Sequence, residues 1–222
     1  MVSTGRLQAE GWAVVETGLV PDLLHELRGT AFSDGAAGTR CLLDLPAVLA
    51  AARQLKSELI GTNILPSSSV AIQAIAFDKT PGKNWKVAWH QDLMFPFARP
   101  VEAPGFELAT KKDGVDFARP PVAVLQDLLA IRLHLDPCDE PNGPLRVSPG
   151  SHLRGVIPSA GCAALAKEFG EINCLAREGE ALLMKPLLLH ASSPAISPGH
   201  RRVIHYVFHT GDLMDEEWHR RV

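Results

Sequence analysis

The sequence predicts a mainly β protein, a closed or double-sheet antiparallel structure such as a jelly roll, with flanking α-helices mostly towards the amino terminus. From Ser69 onward, short apolar or alternating runs end at Gly, Pro, Asn or Asp, the pattern of strands joined by turns. Before Ser69, apolar residues recur at helical spacing instead. The 222 residues suffice for one sizeable core. We therefore expect a single domain over 1–222, helical over about 1–68 and β over about 69–210.

Two helices are predicted before the β core, and one is predicted within it. Residues 20–32 carry apolar side chains near helical spacing. Residues 45–61 do the same and stop at a glycine, a common signal for the end of a helix. Within the β part, only residues 158–174 suggest a further helix.

The predicted strands are short and are each closed by turn-forming residues. In chain order they lie within SVAIQAIAFDKTPG, LLAIRLHLDPCDEPNG, PLRVSPGSH, EGEALLMKPLLLHASS and RRVIHYVFHTGD. Because most of these runs follow one another without an amphipathic helix between them, they favour antiparallel sheets over a parallel, helix-connected sheet.

Composition and charge exclude several classes of partner. The chain has 22 basic and 25 acidic residues, a net charge of -3, and no run of five or more basic residues, so we expect no nucleic-acid partner. It also lacks about 18 consecutive apolar residues and an export signal, so we expect no membrane partner. Its four cysteines form no C-x-x-C pair, which suggests the reducing cytoplasm.

A histidine and an aspartate lie two positions apart in NWKVAWHQDLMFPF, at His90 and Asp92. On a strand, side chains at i and i+2 project from the same face, so the two could share one cation. His190 follows a second apolar run, ALLMKPLLL, and could join them. Two histidines and one carboxylate are the ligands that hold Fe(II) in non-haem oxygenases, with open positions for other ligands.

Downstream of His190, an arginine and a serine could serve a second ligand. Arg201 opens the next predicted strand eleven residues later (201 − 190 = 11). A 2-oxoglutarate cosubstrate chelates iron at its keto-acid end and needs a cation for its far carboxylate. The guanidinium fork suits that carboxylate, and the hydroxyl of Ser192 could add a hydrogen bond.

The sequence resembles the phytanoyl-CoA dioxygenase family of Fe(II)- and 2-oxoglutarate-dependent oxygenases. The resemblance runs over about residues 69–208 and is carried by WHQDL, NGPLRVSPGSH, LLLHASS and RRVIHYVF. It implies a double-stranded β-helix fold, and it implies Fe(II), 2-oxoglutarate and O2 as the participants beside a small-molecule substrate.

The resemblance also implies roles for particular residues. The iron ligands of the family fall on His90, Asp92 and His190, and its cosubstrate residues fall on Arg201 and Ser192. Related halogenases have a small residue at the position of Asp92. The carboxylate here therefore implies hydroxylation, with release of succinate and CO2.

Four further residues are candidates with an alternative each. Gln73 looks like the family's pocket-lining glutamine, or else lies on a sheet surface. Arg132 stands near a tryptophan that lines the cosubstrate site in some members, and a salt bridge is the alternative. Lys86 could meet a phosphorylated carrier such as coenzyme A, although scattered lysines are usually solvated. Phe95 could form an apolar substrate wall, although core packing explains most such aromatics.

Three other features carry weaker expectations. Residues 95–121 are rich in Pro and Gly and directly follow two candidate ligands, so we expect a lid and specificity loop there. His134 is expected to be a hydrogen-bonded core histidine. His205 matches no role in the family and is expected to be an ordinary strand residue.

Two other functions remain compatible with a β-barrel of this kind. One is a cupin-like metal-dependent enzyme that does not use 2-oxoglutarate. Arg201 argues against it, because such an enzyme needs no clamp for a distant carboxylate. The other is a non-catalytic binding protein, against which the intact set of three candidate ligands argues.

Overall fold

The computed structural model describes residues 4–32, 38–197, 199–211 and 214–222, and within them the chain is mainly β. The strands are β1 (Trp12–Glu16), β2 (Gly38–Thr39), β3 (Val70–Lys79), β4 (Val87–His90), β5 (Phe95–Phe97), β6 (Glu107–Lys112), β7 (Val115–Arg119), β8 (Leu128–His134), β9 (Leu145–Val147), β10 (Ile172–Cys174), β11 (Glu180–Met184), β12 (His190–Ser192) and β13 (Arg201–His209). The helices are α1 (Thr4–Glu10), α2 (Pro21–Thr30), α3 (Pro46–Gly61), α4 (Val122–Gln126) and α5 (Ser159–Phe169).

Two antiparallel sheets form the double-stranded β-helix that the sequence predicted. The larger sheet has six strands in the order β1-β11-β8-β13-β3-β2, and the smaller has four in the order β10-β9-β12-β4. Every strand pair in both sheets is antiparallel. Strand segments predicted from turn-bounded apolar runs contain β3, β8, β9, β11, β12 and β13, which confirms those predictions.

Strand β13 shows how the larger sheet separates two apolar layers. Ile204, Tyr206 and Phe208 pack in a cluster with residues of α2 and α3, whereas Val207 packs in a second cluster on the other face. Side chains alternate along a strand, so a central strand covered on both faces becomes apolar throughout. The buried hydroxyl of Tyr206 donates to the carbonyl oxygen of Val48 at 3.2 Å, which joins α3 to the sheet.

The amino-terminal part is not purely helical, contrary to the sequence prediction. The helices predicted over 20–32 and 45–61 are present as α2 and α3. However, β1 lies before both helices and pairs along its whole length with β11 at the edge of the larger sheet. The β core thus begins well before residue 69, because an edge strand of five residues is held by partners about 170 residues away in sequence.

Two predictions within the β part were also wrong in extent. The helix predicted over 158–174 ends at Phe169, since Gly170 has φ of +82°, outside the helical region. The chain then forms β10, which pairs with β9. Residues 95–121, predicted as a loop, instead contain the three-stranded antiparallel sheet β5-β7-β6.

The four cysteines are free. Among the described residues, no helix combines the length and apolar character that crossing a membrane would require.

Candidate metal centre and anion pocket

The smaller sheet brings together the three residues predicted as metal ligands. Strands β4 and β12 are neighbours, and His90 lies directly opposite His190, with ring centroids 4.1 Å apart. Asp92 lies just beyond the end of β4, where its backbone N–H donates to the carbonyl oxygen of Pro186 at 3.0 Å. One donor atom from each of the three side chains lies within 4.8 Å of the others.

Backbone hydrogen bonds fix which nitrogen of each histidine faces the centre. The Nδ1 atom of His90 is 2.8 Å from the carbonyl oxygen of Ala88, and that of His190 is 2.9 Å from the carbonyl oxygen of Leu188. A carbonyl oxygen only accepts, so both Nδ1 atoms carry the proton and both Nε2 lone pairs are free. These Nε2 atoms lie 3.9 Å and 3.7 Å from the oxygens of Asp92.

The protonation states of the centre suit a cation. Burial lowers the pKa of His190 to about 3, although the neighbouring Asp92 acts to raise it. Burial acts to raise the pKa of the Asp92 carboxyl, but the surrounding histidine rings and Arg132 outweigh burial and leave this pKa lowered. At neutral pH the centre therefore offers a neutral buried imidazole beside an ionised carboxylate. Divalent transition metals bind such ligands in these protonation states.

Beside this centre, a cavity of about 160 Å³ lies between the two sheets. Its walls come from both sheets and from the segments flanking β4. The lining residues are Gln73, Ile75, Phe77, Trp85, Val87, His90, Asp92, Arg132, Leu145, His190, Ser192, Arg201 and His205.

Three basic side chains lie at or next to this cavity. Arg132 and Arg201 line it. The amine of Lys79 donates to the hydroxyl of Ser192 at 3.2 Å and to the carbonyl oxygen of Ser193 at 2.7 Å. Among the residues that the structure describes, no carboxylate lies within ion-pair distance of these three cations. The ion pairs found there all involve other basic residues.

The buried cations also have unused hydrogen-bonding capacity. Arg201 donates from Nη1 to the carbonyl oxygen of Gly143, but its Nε has no partner among the described residues, and neither does the Nε of Arg132. Burial and the nearby Arg201 lower the pKa of Arg132 to about 10. Unpaired charge and unpaired donors are costly in a buried site. The cavity is therefore suited to an anion that carries carboxylate groups.

Strand alternation separates Arg201 from its neighbour Arg202. Arg202 points to the opposite face, where its guanidinium makes two hydrogen bonds of 2.8 Å to the oxygens of Asp136. Arg202 therefore takes no part in the cavity, and the single arginine at the start of β13 that faces it is Arg201.

Between the two candidate ligands of WHQDL, Gln91 points away from the centre and anchors the segment that carries them. Its amide nitrogen donates to the carbonyl oxygens of Gly155 at 2.8 Å and Leu187 at 2.6 Å. Its amide oxygen accepts from the backbone N–H of Ile157 at 2.8 Å. These bonds fix the point at which the chain leaves β4, between His90 and Asp92.

Of the four other candidate residues, two line the cavity and two lie outside it. Gln73 and Arg132 line the cavity, and the salt bridge considered for Arg132 is not among the ion pairs of the described residues. Lys86 is exposed and lies outside the cavity, because the adjacent Trp85 and Val87 turn inward. Phe95 is 1% exposed and packs in the apolar core. Both assignments to the substrate site are therefore corrected.

Two buried histidines differ from what the sequence suggested. His205 lines the cavity, and its Nε2 is 3.5 Å from Oδ2 of Asp92. Its spacing of four residues from Arg201 on one strand was the available signal, since both then face the same side. His134 is buried with neither ring nitrogen hydrogen-bonded to a described residue, and burial lowers its pKa to about 3.

Comparisons with known proteins agree with this architecture. The family model described as phytanoyl-CoA dioxygenase matches residues 25–203, whereas a search of curated protein sequences found no match. AviO1 from Streptomyces viridochromogenes Tue57 is 17% identical, with a TM-score of 0.66 over 96% of each chain. EctD from S. alaskensis, solved with 2-oxoglutarate and 5-hydroxyectoine, is 20% identical, with a TM-score of 0.65 over 93% of this chain and 74% of its own.

A third similar structure belongs to an enzyme with a different reaction. The non-haem α-ketoglutarate-dependent carbocyclase SnoK from nogalamycin biosynthesis is 11% identical, with a TM-score of 0.66 over 94% of this chain and 83% of its own. At these identities the three structures establish a shared fold.

Proposed function

The chain belongs to the phytanoyl-CoA dioxygenase family, and on this basis we propose that it is an Fe(II)- and 2-oxoglutarate-dependent oxygenase that hydroxylates a small organic molecule. One observation carries the proposal. Two histidine Nε2 atoms and one carboxylate converge at a cavity that also holds unpaired buried cations. The first group of atoms fits Fe(II), and the second fits a dicarboxylate cosubstrate.

His90, Asp92 and His190 would hold the metal. The hydrogen bonds from both Nδ1 atoms to backbone carbonyls orient the rings and fix their tautomers, as is common for metal-binding histidines. The pairing of β4 with β12 places the two rings on adjacent strands of one sheet. The three residues occupy one side of the centre, so positions towards the cavity are available to other ligands.

Arg201 would bind the far carboxylate of 2-oxoglutarate. Its buried Nε lacks an acceptor, and a carboxylate can satisfy such a donor. Lys79 lies opposite Arg201 on the adjacent strand β3 and adds a second positive charge at this end. The Ser192 hydroxyl, which accepts from Lys79, is left free to donate its own proton to the same carboxylate.

Together, iron, 2-oxoglutarate and dioxygen supply the oxidation: the cosubstrate becomes succinate and CO2, and one oxygen atom enters a C–H bond of the substrate as hydroxyl. The protein orients the reactants and excludes water. The apolar part of the cavity wall is formed by Ile75, Phe77 and Leu145. Arg201 fixes the end of the cosubstrate that does not react.

Hydroxylation is favoured over halogenation by the carboxylate at Asp92, which fills the position that a halide would need. The two alternatives from the sequence are each opposed by the site. An enzyme without 2-oxoglutarate would leave Arg201 and Arg132 without an anion in a buried cavity. A non-catalytic protein would have no need of two oriented imidazoles facing a carboxylate.

Succinate formation tests the proposal directly. Purified protein supplied with Fe(II), 2-oxoglutarate and air is expected to release succinate even without its substrate, because uncoupled turnover consumes cosubstrate. Omitting Fe(II), or replacing it with Zn(II), should abolish the release. Binding of Fe(II) without any saturable binding of 2-oxoglutarate would favour an iron enzyme of another kind.

Lys79 makes the affinity for 2-oxoglutarate dependent on pH. Burial, together with Arg201 and Arg132, lowers the pKa of Lys79 to about 8. The amine is charged below that pH and attracts the cosubstrate, and this attraction is lost as the pH rises through about 8. Anaerobic titration of the Fe(II) protein should show binding weakening about fivefold, about 1 kcal/mol, between pH 7 and pH 9.5.

Replacing Lys79 with methionine provides the matched control for this titration. Methionine keeps an unbranched side chain but carries no charge, so Lys79→Met should bind 2-oxoglutarate weakly at both pH values. A pH dependence that persists in this variant would assign the titration to another group.

A further inference from the structure

His205 lies next to the metal centre but outside its set of ligands. It is 3% exposed, in the middle of β13, and lies directly opposite Arg132 on β8. Its side chain lines the cavity beside Asp92. It does not belong to the group of three residues whose donor atoms are mutually within 4.8 Å.

Arg132 determines the tautomer of His205. Its Nη1 is 3.4 Å from Nδ1 of His205. A guanidinium only donates hydrogen bonds, so Nδ1 must accept and the ring proton of neutral His205 lies on Nε2. That Nε2 is 3.5 Å from Oδ2 of Asp92. Donors and acceptors therefore alternate from Arg132 through His205 to Asp92, and a shift of about 0.5 Å gives the last pair an ordinary hydrogen-bond length.

The carboxylate of Asp92 has two ways to meet a metal. Oδ1 lies 3.9 Å from Nε2 of His90, and Oδ2 lies 3.7 Å from Nε2 of His190. If both oxygens bound, the protein would fill four of six octahedral positions and leave two. The proposed reaction needs three open positions, two for 2-oxoglutarate and one for dioxygen. A bond from His205 to one oxygen leaves only the other for the metal.

We propose that His205, oriented by Arg132, is a positioning residue that holds one oxygen of the Asp92 carboxylate away from the metal and so keeps the third coordination position open. The proposal rests on the proposed iron- and 2-oxoglutarate-dependent function. It is independent of which molecule is the substrate.

Nitric oxide is a suitable probe because it binds Fe(II) at the position meant for dioxygen and gives a characteristic electron paramagnetic resonance signal. The anaerobic protein with Fe(II) and 2-oxoglutarate is titrated with nitric oxide, and the Kd for Fe(II) is measured separately. In His205→Phe and His205→Leu, the second oxygen of Asp92 becomes free to bind the metal, so the Kd for Fe(II) should stay within about threefold of wild type or fall below it. The nitrosyl signal per bound iron should fall to less than half of the wild-type signal.

Two further variants separate positioning from packing. His205→Gln keeps an amide N–H that can reach the carboxylate, and it should restore the nitrosyl signal and keep the Kd for Fe(II) within about threefold of wild type. His209→Phe is the control, because His209 is equally buried at 3%, lies on the same strand and contacts Trp218 instead of the cavity. It should resemble wild type in both measurements.

The results that overturn the proposal are distinct from failure of the proposed function. A wild-type nitrosyl signal in both His205→Phe and His205→Leu would show that His205 does not position Asp92. A loss of Fe(II) affinity as large as that of His90→Ala would make His205 a ligand. If the wild-type protein itself bound neither Fe(II) nor 2-oxoglutarate, the proposed function would fail and this inference with it.

Discussion

Replacing His90 with alanine is expected to lower iron-dependent succinate formation at least about 1,000-fold, equivalent to about 4 kcal/mol in the activation barrier. The variant keeps only His190 and Asp92, and two ligands do not hold Fe(II) against dissociation. The effect should not come from unfolding, because the His90 side chain is 40% exposed and belongs to none of the apolar clusters. The measurements are iron content after anaerobic loading and desalting, succinate formation, and thermal unfolding.

His25→Ala is the matched control, since His25 is an exposed histidine on α2, on the face of the larger sheet opposite to the metal centre. Its iron content and succinate formation should equal those of the wild type. If His90→Ala kept stoichiometric iron and normal succinate formation, the metal would lie elsewhere and the proposed centre would be wrong.

The parts of the fold that local pattern determines were predictable from the sequence. The strands of the β core are bounded by turn residues, and their apolar runs follow from burial on one or both faces. The opposite directions of the Arg201 and Arg202 side chains also follow from strand alternation: Arg201 faces the cavity, and Arg202 pairs with Asp136. The helices α2 and α3 have an apolar stripe at helical spacing, and each covers the sheet with it.

Features that depend on distant partners could not be predicted in the same way. Strand β1 is defined by its pairing with β11, and no local signal in five residues distinguishes it. Strand alternation was the reason to place Asp92 beside His90, yet β4 ends at His90 and Asp92 lies outside the strand. The hydrogen bonds of Gln91 to the segments around Gly155 and Leu187, which are remote in sequence, hold the turn that presents Asp92 instead.

The substrate wall was the least predictable part of the site. Lys86 and Phe95 have residue types that suit a pocket, but residue type does not determine direction. Lys86 turns to solvent between two inward residues, and Phe95 fills the core. His205 lines the cavity although no family motif marks it; its even spacing from Arg201 indicated the face, and its position opposite Arg132 brings it to Asp92.

Replacing Arg201 with alanine is expected to weaken 2-oxoglutarate binding by roughly 1.5–3 kcal/mol, about 10- to 150-fold, the range for a lost hydrogen bond to a charged group. Fe(II) binding should stay nearly unchanged, because Arg201 is absent from the group of side chains that could hold a metal ion. Anaerobic titration of the Fe(II) protein with 2-oxoglutarate, followed by its visible charge-transfer absorption, measures the cosubstrate affinity, and the Kd for Fe(II) is measured separately. Arg201→Lys should recover only part of the loss, since an ammonium ion offers a point charge where the carboxylate fits a planar fork.

Arg202→Ala is the internal control for this prediction, because it removes an arginine of the same strand that faces Asp136 on the other side of the sheet. It should alter the stability of the protein but leave the Kd for 2-oxoglutarate within about twofold of wild type, since it removes no contact with the cavity. Equal losses of cosubstrate affinity in Arg201→Ala and Arg202→Ala would contradict the assignment of Arg201. An Arg201→Ala variant that binds 2-oxoglutarate like the wild type would indicate an iron enzyme in which the unpaired cations of the cavity bind another acid.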